Sequence, residues 1–195
     1  YEFCQDVLLP YFFNKKILVS SPTIKKSSDG IVKWDTLKRQ IESHLKQETY
    51  AYVTTFIDLY ALPSDYPNFD IHNIDMIEQS MKADIDSALN YRFIPYIQRH
   101  EFECFVFASM DVLQQNFTVQ EADFSEIERV IQTYQDNLED INNSPQTSPS
   151  KRLELSIKGY KKVIYGACLA SEIGLSRIRQ KCPRFSKWIE QLENL

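Results

Sequence analysis

The 195 residues fit one domain, or one domain with an extension, and suffice to bury a sizeable core. Hydrophobic residues make up 43% and charged residues 25%, without any apolar run of about 18 residues, so neither a disordered chain nor a membrane-spanning helix is expected. A net charge of −5 argues against a uniformly basic nucleic-acid binder.

In chain order, Tyr1–Phe13 reads as the end of a helix with Phe3, Val7, Leu8 and Tyr11 on one side. The chain starts inside this element without a Met, which leads us to expect a further segment upstream. Lys16–Ser20 is a short strand candidate, and Ser21–Gly30 reads as a polar turn region. Trp34, Leu37, Ile41 and Leu45 recur at helical spacing, predicting a helix over about Lys33–Gln47. A β-branched and aromatic run predicts a strand over Tyr50–Ile57, and it delivers Asp58 at its C-terminal end. Asn73 or Asp75 caps the next predicted helix, which runs to about Leu89 with Ile74, Ile77, Met81, Ile85 and Ala88 as its buried stripe. A second strand is expected over Phe93–Gln98, near an edge or with a bulge because of Pro95, and it leads into His100, Glu101 and Glu103.

This alternation of strand and helix is that of an α/β domain with a parallel sheet. Cys104–Phe107 is too apolar for exposure. Ser109 and Ser125 are read as caps of two following helices, Asp140–Ser150 as a loop. The tail is helical over Lys151–Ser156, Tyr160–Ser171, Leu175–Lys181 and Pro183–Leu195, the last burying Phe185, Trp188, Ile189 and Leu192.

Two strand-like runs that each end in acid suggest a carboxylate cluster, since open α/β sheets build sites beyond their strand ends. Asp58 is the first-choice metal ligand, and Asp65 ranks last. Glu101 and Glu103 share a face if the segment is extended and diverge if it is helical. His100 would orient a water or contact a phosphate; a structural histidine is the alternative. Mg²⁺, or Mn²⁺, is the expected ion, because it takes oxygen ligands and keeps several waters. Ser150, Lys151 and Arg152 open a helix after a Pro-rich loop, a natural phosphate-binding arrangement that otherwise reads as a capped surface helix.

Charge is unevenly spread. Residues 100–140 carry ten Asp and Glu against Arg129, whereas residues 145–187 carry ten Lys and Arg against Glu154 and Glu172. An acidic metal site beside a phosphate-binding face would produce this, and so would two solvated helix faces. Cys4, Cys104, Cys168 and Cys182 lack any Cys-x-x-Cys pairing, which argues against structural zinc and fits reduced thiols in a cytoplasmic setting. No phosphate-cradling glycine loop occurs, so any ATP use is expected to come from a partner.

Four stretches in order, residues 54–67 (Thr-Thr-Phe-Ile-Asp-Leu-Tyr-Ala-Leu-Pro-Ser-Asp-Tyr-Pro), 92–103 (Arg-Phe-Ile-Pro-Tyr-Ile-Gln-Arg-His-Glu-Phe-Glu), 148–153 (Ser-Pro-Ser-Lys-Arg-Leu) and 173–185, together resemble an uncharacterised bacterial family grouped with Toprim-like domains. Toprim domains are the catalytic modules of topoisomerases, primases and OLD-type nucleases, and members of this family are often encoded beside AAA or ABC-type ATPases in defence-like pairs. The resemblance implies a Toprim-like α/β core over 1–108, with a parallel sheet flanked by helices, and a helical extension over 109–195. It implies a metal-dependent nuclease subunit working with an ATPase on DNA or RNA. Apart from the resemblance, a homo-oligomer is left open. The family's first acid lies in an upstream segment that this chain does not contain. Its Asp-x-Asp motif is reduced here to Asp58-Leu59-Tyr60. That departure keeps open a non-catalytic Toprim-like module that docks on an ATPase.

Overall fold

The computed structural model describes residues 1–22, 24, 32–141, 144 and 146–195. The fold is mixed α/β, mostly helical, with two small parallel sheets of two strands each. Two units are distinguished: one comprises Tyr1–Ser21 and His100–Leu195, the other Pro22–Arg99.

The first unit opens with a π turn, Cys4–Leu8, that runs into helix α1, Leu9–Asn14. The Leu9 amide donates to Cys4 O, a wide turn placed just before Pro10, which has no amide of its own to donate. Phe3, Leu8 and Phe12 form the buried side. The strand expected over Lys16–Ser20 does not form. Those residues are irregular, Leu18 is 86% exposed, and among the described residues no strand pairs with them. Most of the predicted Ser21–Gly30 turn region, and Asn142, Asn143 and Pro145 of the predicted loop, lie outside the described residues.

The second unit begins with α2, Trp34–Gln47, whose stripe Trp34, Leu37, Ile41 and Leu45 is buried as its spacing predicts. Strands β1 (Val53–Thr54) and β2 (Ile57–Asp58) follow, then α3 (Ile74–Asp84), β3 (Phe93–Ile94) and β4 (Ile97–Gln98). Val53 pairs in parallel with Phe93, and Ile57 with Ile97, so one register runs through both sheets. The two predicted strands are thus each split in the middle. At the break Pro95 has no amide to offer, and Thr55 Oγ1 takes over, donating to Tyr96 O at 3.0 Å and accepting from the Tyr96 amide at 2.9 Å.

Helix α3 is the crossover that a parallel pairing requires. Asn73 caps it through the Met76 amide, as expected, but it stops at Asp84 rather than near Leu89. Asp86 ends the helical path by accepting from the Ala88 amide in a tight turn, and Ala88 is left exposed. Ile77, Met81, Phe93 and Ile97 close over the α2 stripe to make this unit's core. At the C-terminus of α2 the buried Arg92 guanidinium donates to the carbonyls of Leu45, Glu48 and Ala51, where a cation also complements the helix dipole.

The rest of the first unit is built on a 3-10 segment, Phe102–Ala108, in which Cys104–Phe107 is buried. Phe3, Phe102, Phe105 and Phe185 stack around it, with Phe105 and Phe185 centroids 4.6 Å apart. Around that segment lie α4 (Met110–Asn116), α5 (Phe124–Thr133), α6 (Pro149–Ser156), α7 (Lys162–Ile173), α8 (Leu175–Lys181) and α9 (Pro183–Glu193). Ser109 caps α4 as predicted, whereas α5 is capped by Asp123, and Ser125 instead donates to that same carboxylate. Gly174, at φ +80°, turns the chain from α7 into α8 in a conformation that a side chain would strain.

Candidate functional site

Glu101 stands in extended conformation at the head of the 3-10 segment, and Glu103 lies in its first turn. The two carboxylates therefore leave the backbone in different directions, the divergent case of the sequence reading. Both are at least nine-tenths buried, at 4% and 6% exposure.

Glu101 Oε2 accepts from the Ser150 amide at 3.0 Å, at the N-terminus of α6. That amide is the one expected to grip a phosphate. The chain supplies its own anion there instead, and the cap proper is Ser148 through the Lys151 amide. Ser150 is buried, Lys151 pairs with Glu154, and Arg152 Nε donates to Thr147 O at 2.7 Å with its guanidinium over the Tyr134 ring. His100, half-buried, adopts φ +62°, a left-handed turn that sharply redirects the chain ahead of Glu101.

Glu103 is placed differently. Its Oε2 is buried with no hydrogen-bond partner among the described residues, and the same holds for the Tyr160 hydroxyl. A Cβ added at Gly166 of α7 would stand 3.5 Å from Glu103 Oε1 and 3.8 Å from Tyr160 Oη, so both polar groups lie against the bare helix backbone. Burial pushes the Glu103 carboxyl above its usual range; the Lys162 charge and a bond from its own backbone amide oppose this, and the charges of Glu101 and Glu154 add to it. Burial also raises the Tyr160 phenol, helped by the charges of Glu103, Glu154 and Glu101, so Tyr160 remains a hydrogen-bond donor at neutral pH. Tyr160 stacks on Tyr165 at 5.6 Å, which fixes the plane of its ring.

The remaining predicted ligands belong to the other unit. Asp58 ends β2, half-buried, and Asp65 Oδ2 accepts from the Trp34 amide at 3.1 Å, capping α2. Among the described residues no group of three or more His, Cys, Asp or Glu is arranged to hold a metal ion. Sequence reasoning missed Tyr160, Lys162 and Gly166. A signal existed for the last: it is one of four glycines, and an isolated glycine inside a helix costs about 1 kcal/mol against alanine, so it calls for a packing or functional reason.

The model of a family described as a domain of unknown function, DUF4276, matches residues 1–193. The chain belongs to the DUF4276 family. No curated protein and no solved structure matches it. In this DUF4276 chain no described helix is long and apolar enough to cross a membrane.

Whether the DUF4276 residues suit a divalent ion turns on Glu103. Mg²⁺ is held through one or two carboxylates, with waters and substrate oxygens completing the shell. An orphaned carboxylate oxygen in a buried position fits that requirement, whereas the Ser150 amide already occupies one oxygen of Glu101.

Proposed function

We propose that this DUF4276 chain is a Toprim-like subunit that hydrolyses phosphodiester bonds of DNA or RNA with a divalent metal, in the cytoplasm and alongside a partner ATPase. The observation that carries this reading is the buried Glu103 oxygen left without a partner beside the equally unpartnered Tyr160 hydroxyl. A buried carboxylate oxygen with no donor is costly, and a cation, or a ligand that brings one, lowers the cost. Glu103 would hold Mg²⁺ or Mn²⁺, which when bound polarises a phosphate and stabilises the leaving oxygen. Tyr160 would donate to a phosphate oxygen, and the nearby Lys162 charge favours an anionic substrate.

Calorimetric titration with Mg²⁺ and Mn²⁺, together with thermal melting, tests the reading on wild type and Glu103→Gln. Wild type should bind the ion and melt at higher temperature in its presence. Glu103→Gln should do neither, and without metal at neutral pH it should melt above wild type, since it removes a buried charge. Asp58→Ala tests Asp58 in the same way, and cleavage of labelled DNA and RNA follows if binding is seen.

A second reading, the non-catalytic docking module, is favoured by one feature. Glu101 and Asp65 already serve helix N-termini, as structural acids do. A folded wild type that binds neither ion would decide for it.

A further inference from the structure

A helix that is apolar on every side belongs in an interior. Over residues 163–170 helix α7 carries no charged residue on any side, yet in the whole helix only Gly166, Leu169, Ala170 and Ile173 are buried. On its outer side Val163 is 83% and Ile164 59% exposed, and Cys168 is an exposed free thiol. Lys161, Ile164, Cys168 and Glu172, all exposed, recur at spacings of three, four and four, one straight stripe along that outer side.

Ile164 and Cys168 lie symmetrically about the level of Gly166, and Lys161 and Glu172 nearly so. We propose that α7 is a self-association face on which a second copy of this chain packs its own α7 antiparallel, about a two-fold axis at that level. Ile164 then faces Cys168 of the second copy, and Lys161 lies beside Glu172 of the second copy. The charges agree with this occupant. The N-terminus of α7 has no side-chain cap and no acid in its first turn, and Lys161 and Lys162 add positive charge where the dipole is already positive. An antiparallel mate brings its C-terminal carbonyls and Glu172, which also accepts from Asn116 of its own chain, to that end, so the positive end of each copy meets the negative end of the other. Such a contact is isologous and closes at two copies. A lipid surface suits α7 less well, because interfacial helices set one apolar face against one polar face.

Sedimentation velocity across a concentration series tests the proposal on the intact chain, with circular dichroism confirming that each variant folds. Wild type should dimerise, and Ile164→Glu should weaken the dimer about 100-fold by burying an unpaired charge. Lys161→Glu should weaken it, and the double variant Lys161→Glu with Glu172→Lys should restore it. A short bismaleimide should cross-link two copies of the wild type but not of Cys168→Ser. A wild type that stays monomeric, or a dimer indifferent to Ile164→Glu, overturns the proposal. So does a monomer that binds phosphatidylserine vesicles through Ile164.

Discussion

Glu103 and Glu193 are carboxylates of one unit with opposite surroundings. Burial alone would raise Glu193, but hydrogen bonds from Arg179, Tyr11 and Lys15 outweigh it and hold the carboxyl at about 2. Arg179 reaches Glu193 at 3.0 Å and 3.2 Å, and Lys15 at 3.3 Å, so α1, α8 and α9 meet at one carboxylate. Because the folded value lies below the usual 4.5, Glu193 stabilises the fold fully above pH 4.5 and loses that contribution as pH falls towards 2. Chemical denaturation between pH 5 and 2 should therefore show a steeper loss for wild type than for Glu193→Gln. Glu103 has only its own backbone amide and the Lys162 charge to set against its burial, and its Oε2 is left without a donor among the described residues, so its carboxyl moves up where that of Glu193 moves down.

At the scale of the element, two kinds of capped helix start occur. Asn73, Ser109 and Asp123 cap α3, α4 and α5 from the adjoining residue. Helix α9 has no such residue. Cys182 precedes Pro183 without a side-chain bond, and the fully buried Glu139 accepts from the amides of Arg184 and Phe185 at 2.7 Å and 3.2 Å. Removing Glu139 strands two amides, one of them buried, whereas removing Asn73 exposes amides that water reaches. Glu139→Ala should thus cost about 3 kcal/mol or more, against about 1 kcal/mol for Asn73→Ala. Urea denaturation of the two variants checks the ratio.

For the molecule as a whole, what was legible in the sequence is what a helix repeats within itself. The stripes of α2 and α9 follow from spacing alone, and the buried Cys104–Phe107 from apolarity. The strands were half legible. Composition identified the two runs, but their shared break depends on Thr55 meeting Tyr96 across the pairing, and no local pattern encodes that. The same limit applies to the acids. A carboxylate after a strand looks alike whether it is left without a donor or meets a distant amide, and only the fold tells Glu103 from Glu101 and Asp65.

The distant caps bear on the order of folding. Asp65 reaches the α2 start across 31 residues, Glu101 reaches α6 across 49, and Glu139 reaches α9 across 45. Loops of that length close slowly, so α2 and α9, which have no cap of their own, gain their starts only once the chain has come together. As excised peptides, α2 and α9 should show less helix by circular dichroism than their apolar periodicity suggests. A peptide of α5 should retain its first turn until acid protonates Asp123. Collapse would then precede these two helices rather than follow them.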